Sequence, residues 1–92
     1  MDEFGLRWSP PAVRQLDRLA NSSRRIVGPI VEFCFGRLIT NPRRIGRPLG
    51  RELEGWYSAS VGPYRVIYWI DEDERIVDVD RVDHRNDVYR PK

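Results

Sequence analysis

The sequence has one cysteine, Cys34, and one histidine, His84, among 92 residues. A lone thiol excludes an intrachain disulfide and a cysteine-rich zinc site, and a lone imidazole argues against a multi-histidine metal centre. Long apolar runs are missing too: nothing approaches the ~18 residues needed to cross a bilayer. The opening Met-Asp-Glu-Phe-Gly has neither the basic nor the apolar region of a secretory signal, so a cytoplasmic location is expected. There is no Gly-rich phosphate loop, nucleophile elbow or His-Glu-x-x-His, so no cofactor and no metal are expected. No repeat or linker divides the chain, and its length suits one domain over residues 1–92.

Lysine is almost absent. Fifteen arginines and Lys92 face 14 acids, for a net charge of +2. Arg suits planar, bidentate contact with phosphate, so the bias invites a nucleic-acid reading. Genome base composition can produce the same bias, so the placement of the charges carries more weight than their number.

Phe4, Leu6 and Trp8 alternate with polar or small residues, the period of a half-buried strand. Ser9 followed by Pro10 reads as a helix start, and Val13, Leu16, Leu19 and Ala20 recur at helical spacing, with an end near Asn21. Ser22 or Ser23 can cap a second helix whose apolar face includes Ile26, Ile30, Phe33, Cys34 and Leu38. Gly28-Pro29 interrupts it, implying either a kink or a helix that begins at Gly28. Cys34, among apolar neighbours, reads as a core residue.

Residues 40–50 carry too many breakers for a regular element. With Arg43, Arg44, Arg47 and Arg51 and no acid between them, they read as a basic loop. Residues 53–61 and 64–70 read as strands joined by a tight Gly62-Pro63 turn. Asp71-Glu72-Asp73-Glu74 reads as a polar turn, Ile76, Val77, Val79 and Val82 as a last strand, and residues 83–92 as a polar tail. The expectation is an α+β fold in the order β-α-α-β-β-β: an antiparallel sheet of about four strands, with an N-terminal helical hairpin on one face and the other face open.

Arg65 falls inside a strand, on the side that also holds Ile67 and Trp69. It either pairs with an acid such as Asp78 or Asp80 on the next strand or faces an open cleft. The tail gathers His84, Arg85 and Tyr89 just after a strand. Cleavage of RNA by attack of a 2′-OH on the adjacent phosphate needs a base, an acid and fixed positive charge. Arg65 and Arg85 could supply the charge, His84 and Tyr89 the proton transfers, and Arg43, Arg44, Arg47 and Arg51 sequence-independent phosphate contacts. Trp56, Tyr57 and Trp69 read as core or partner-contact residues.

Leu53-Glu54-Gly55, Gly62-Pro63-Tyr64-Arg65-Val66-Ile67-Tyr68, the acidic turn, Val82-Asp83-His84-Arg85 and Val88-Tyr89-Arg90 together resemble the RelE/ParE toxin superfamily, including its actinobacterial-type RelE branch. The helical hairpin, the Asn41-Pro42 loop and the Gly46-Arg47-Pro48-Leu49 segment extend the resemblance over nearly the whole chain. It implies a toxin of a type II toxin–antitoxin system, wrapped by a RelB-like antitoxin, that cleaves mRNA on the ribosome without a metal. The family's catalytic arginine then corresponds to Arg65, its second arginine to Arg85, and its C-terminal tyrosine, which stacks on a base, to Tyr89.

One stretch departs from that pattern. Active members commonly carry Lys or Arg on the strand before the Gly-x-Tyr-Arg turn, and Ser58 and Ser60 stand there instead. A hydroxyl can bond a phosphate but cannot offset its charge. The departure keeps two alternatives in view: a ParE-like inhibitor of DNA gyrase that cuts nothing, and a decayed toxin retained as an antitoxin-binding co-repressor.

Overall fold

A computed structural model describes residues 3–50 and 53–85. Its elements are β1 (Gly5–Trp8), α1 (Pro10–Ser22), α2 (Arg24–Phe33), the one-turn α3 (Pro42–Ile45), β2 (Arg47–Pro48), β3 (Trp56–Val61), β4 (Tyr64–Asp71) and β5 (Ile76–His84). A π-helical turn, Cys34–Leu38, follows directly on α2. The strands form one sheet in the order β1-β5-β4-β3-β2. The three long strands are antiparallel neighbours, whereas β1 runs parallel to β5, with Leu6 opposite Val77 and Trp8 opposite Val79. A parallel pair needs a crossover, and the helical hairpin is part of the long path between these two strands.

Local chemistry explains the boundaries. Ser9 caps α1 by accepting the Ala12 N–H at 3.1 Å, while Pro10 and Pro11 occupy first-turn positions where no amide hydrogen is needed. The second helix starts at Arg24, so of the two expected starts the one at Gly28 does not hold, and Pro29 lies inside the helix. Gly28 and Pro29 are exposed, as is Arg25, whose carbonyl Pro29 cannot bond, so solvent can satisfy it. Gly62, with φ at 58°, supplies the positive φ that a two-residue hairpin turn asks of its first residue, and Pro63 follows at its fixed negative φ.

The sheet expected to be antiparallel is mixed, because β1 runs parallel to β5, and the strand expected over residues 53–61 begins at Trp56. Two further expectations change in detail. The segment read as an irregular basic loop contains α3 and the edge strand β2, which raises the strand count to five. The last strand runs on through Asp83 and His84 instead of ending near Val82. In both places pairing with a neighbouring strand orders residues whose local composition favours a loop.

The core lies between the helices and one face of the sheet. Val66 and Tyr68 of β4 and Val77 and Val79 of β5 meet Ala12, Ile30, Cys34 and Leu38, all fully buried. Burial of each Val- or Ile-sized side chain contributes about 1.5–3 kcal/mol. No helix of the described residues is long and apolar enough to cross a membrane.

Candidate phosphate-binding cleft

Side chains alternate across the sheet, so the register of the strands decides which residues share the open face. Ser60 lies opposite Arg65, Ser58 opposite Ile67, and Trp56 opposite Trp69. On the far side of β3, Arg47 of β2 lies opposite Ser58. Three adjacent strands thus bring Arg47, Ser58, Ser60 and Arg65 to one cleft of about 480 Å³, whose walls include Ile45 and Leu49.

The electrostatics of this cleft are set by pairing elsewhere. Asp83 is the register partner of Arg65 on β5, but its carboxylate is taken on both sides. Its Oδ2 lies 2.8 Å from Arg81 Nε, and its Oδ1 accepts from Gln15 Nε2 at 2.8 Å. Asp78 is bound by Arg7, whose Nη2 and Nε reach its Oδ2 at 2.8 and 3.0 Å; this pairing raises the Arg7 pKa. Among the described residues no acid lies within ion-pair distance of Arg65. The pairing of Arg65 with Asp78 or Asp80 is therefore not found, and Arg65 lines an open cleft.

Ser58 adds a second feature. It is 8% exposed, and its Oγ is buried without a hydrogen-bond partner among the described residues. Buried hydroxyls are normally satisfied, because an unmade bond costs roughly 1–3 kcal/mol. This one sits in the cleft wall, on the strand between those that carry Arg47 and Arg65. Ser60, one row further along, is exposed.

The other expected site residues are dispersed. Arg43 forms an ion pair with Glu72 of the acidic turn, and Arg44 is exposed on α3, so among the described residues of the basic segment only Arg47 lines the cleft. The ring of His84 meets Tyr64 edge-on, with centroids 5.3 Å apart. Tyr64 packs against the helix-covered core, so His84 lies on the face opposite Arg65. Arg85 is exposed, and its N–H donates to the Pro63 carbonyl at 2.8 Å, which ties the end of β5 to the β3–β4 turn. Arg51 and Tyr89 lie outside the described residues.

Sequence reasoning missed Gln15, which supports the cleft from α1. Beyond the end of β1 the edge of β5 is unpaired, and Gln15 Oε1 accepts the Val82 N–H at 2.8 Å while its amide nitrogen holds Asp83. No motif marks a polar residue on an amphipathic helix as an edge cap. The aromatic residues divide between the faces: Tyr57 stacks on buried Tyr68 at 5.5 Å and 15°, whereas Trp56 and Trp69 occupy the open face.

Comparison with known proteins places this geometry in a family. Toxin RelG of Mycobacterium tuberculosis is 45% identical over 87 residues, covering 95% of this chain and 97% of that protein. Toxin RelE of the same organism is 43% identical over 79 residues, covering 86% and 78%. The crystal structure of the M. tuberculosis toxin–antitoxin complex RelBE2 contains a chain that superposes with a TM-score of 0.82 at 43% identity, over 90% of this chain and 99% of that one. An archaeal RelE–RelB complex from Pyrococcus horikoshii, at 20% identity, shares the fold with a TM-score of 0.70 over 96% and 100%. Residues 6–89 match the family described as ParE toxin of type II toxin-antitoxin system, parDE, and the chain therefore belongs to this RelE/ParE toxin family.

Proposed function

We propose that this chain is a toxin that cleaves ribosome-bound mRNA and is held inactive by a RelB-like antitoxin in the cytoplasm. Arg65, un-neutralised in a cleft shared with Arg47 and the unpartnered Ser58 hydroxyl, is the observation that carries this reading. Two cations and two hydroxyls around one concavity fit a phosphodiester. The attack forms a bond from the 2′-oxygen to phosphorus and breaks the bond to the 5′-oxygen, leaving a cyclic phosphate and a 5′-hydroxyl. Arg65 and Arg85 stabilise the charge that builds on the phosphorane, which is where preorganised donors contribute most.

Tyr89 stacks on a base, and His84 and Tyr89 divide the two proton transfers. His84 lies on the other face of the sheet from Arg65, so its share in these transfers requires its side chain to swing round the end of β5. A His84→Gln variant that keeps full cleavage assigns the proton chemistry to Tyr89. Arg43, Arg44 and Arg51 add sequence-independent attraction for ribosomal RNA.

The deciding experiment is growth and transcript mapping after induction without an antitoxin, with an Arg65→Ala/Arg85→Ala double variant beside the native chain. Cuts within translated codons that vanish in the double variant establish the nuclease. Toxicity without cuts, with DNA damage and an SOS response, moves the assignment to DNA gyrase. Unhindered growth moves it to an antitoxin-binding co-repressor.

A further inference from the structure

We propose that Trp69, supported by Trp56, is a stacking shelf for an unpaired base of the RNA strand whose phosphate occupies the Ser58–Arg65 cleft. The inference rests on the phosphate reading above and adds a base subsite to it.

The open face of the sheet is graded along β4. Arg65, Ile67 and Trp69 follow one another on that face, and the first and last stand about 13 Å apart at ~3.3 Å per residue. Ile67 is 6% exposed although it lies outside the main core, so it forms a filled apolar floor between the two ends. At the far end Trp56 and Trp69 are cross-strand partners with ring centroids 6.4 Å apart and planes tilted by 53°. The tilt means that neither indole covers the other's face, and Trp69 is 37% exposed. A large flat ring left partly in solvent, in the same row of residues as an anion cleft, is what a sheet that binds single strands presents to bases.

The charges match the two parts of a nucleotide. Asp78 lies beside Trp69 in register and would repel a nearby phosphodiester, but Arg7 neutralises it at 2.8 Å. Arg7 also lies 3.9 Å from Asp71, the next residue after Trp69 on that face, so the two carboxylates there share one guanidinium. The face is therefore cationic at Arg65 and slightly acidic at Trp69, so an anionic phosphate suits the first end and only an uncharged group such as a base suits the second.

The test uses a short single-stranded RNA with 2′-O-methyl riboses, which cannot supply the attacking hydroxyl. It is titrated against the full chain by fluorescence anisotropy. Trp69→Ala is expected to weaken binding roughly tenfold and Trp69→Phe to retain most of it, since stacking of one base contributes about that much. A strand with abasic sites should bind the native chain no better than the intact strand binds the alanine variant. If Trp69→Ala binds as the native chain does while Arg65→Ala is weakened, the shelf is refuted and the phosphate site stands. If Arg65→Ala binds as the native chain does, the phosphate reading fails and the shelf loses its role with it. Loss of antitoxin binding in Trp69→Ala with unchanged RNA affinity makes Trp69 a protein contact and also refutes the shelf.

Discussion

The hydroxyl of Tyr68 donates to the carbonyl of Pro42 at 2.6 Å inside the core. This one bond joins the centre of β4 to the first residue of α3, and both residues are fully buried. Gly46 passes against the hydroxyl end of the ring: a Cβ there would fall 2.1 Å from the hydroxyl and 3.0 Å from the Ser58 carbonyl. The basic segment is thereby fastened to the sheet so that the next residue, Arg47, pairs with Ser58. Burial also holds the phenol well above its ordinary pKa, so it remains a donor throughout the physiological range.

Tyr68→Phe should leave the buried Pro42 carbonyl without its donor and cost about 1–3 kcal/mol. Gly46→Ala should cost a similar 1–3 kcal/mol, because the added methyl group overpacks against Tyr68 and nearby backbone. Urea denaturation measures both. Each variant should also loosen Arg47 and so weaken RNA binding under conditions where the chain is still folded.

Gln15→Ala should free the Val82 N–H and release one side of Asp83. The expected loss is about 1 kcal/mol of stability, read as a lowered melting temperature. Asp83 would then be able to swing towards Arg65, so cleavage should fall further than stability alone accounts for. Gln15→Glu, which can still accept from Val82 but cannot donate to Asp83, should separate the two effects.

Burial pushes the Cys34 thiol up to about 12 from 9.0. Cys34 should therefore resist alkylation in the native chain at pH 8 and react fully in urea. The unfolded chain loses this proton near pH 9 and the folded chain only near pH 12, so between those values the native state binds more protons. Stability should fall as pH rises across that window and show no contribution from Cys34 below it.

Arg65→Ala alone should lower the cleavage rate by roughly 10²–10³-fold, the usual effect of removing one preorganised transition-state donor. Ser58→Ala should lower it less while slightly stabilising the fold, since it removes an unsatisfied hydroxyl. Ser60→Arg, which adds a third cation to the cleft, should raise it by about tenfold, the scale of one charge-assisted hydrogen bond. Single-turnover cleavage of ribosome-bound message measures all three.

Much of the fold was legible because its elements are local. Ser9-Pro10 starts a helix, Gly62-Pro63 turns a hairpin, and the alternation from Tyr64 to Ile70 marks a strand wherever the chain happens to carry them. The same alternation placed Arg65 with Ile67 and Trp69 on one face. Long-range pairing was not legible, because strand direction and partner choice depend on contacts between residues far apart in the chain. The parallel docking of β1 on β5 and the two-residue β2 are of this kind.

By itself, then, the sequence determined the long helices and strands and the family, and it singled out Arg65 as a site candidate. Only the tertiary structure decided which charges remain available there. Arg7 takes Asp78, Glu72 takes Arg43, and Arg81 with Gln15 takes Asp83, so among the described residues the cations left facing the cleft are Arg47 and Arg65. The reason is physical: an ion pair forms where folding brings two side chains within a few ångströms, and spacing along the chain does not report that distance.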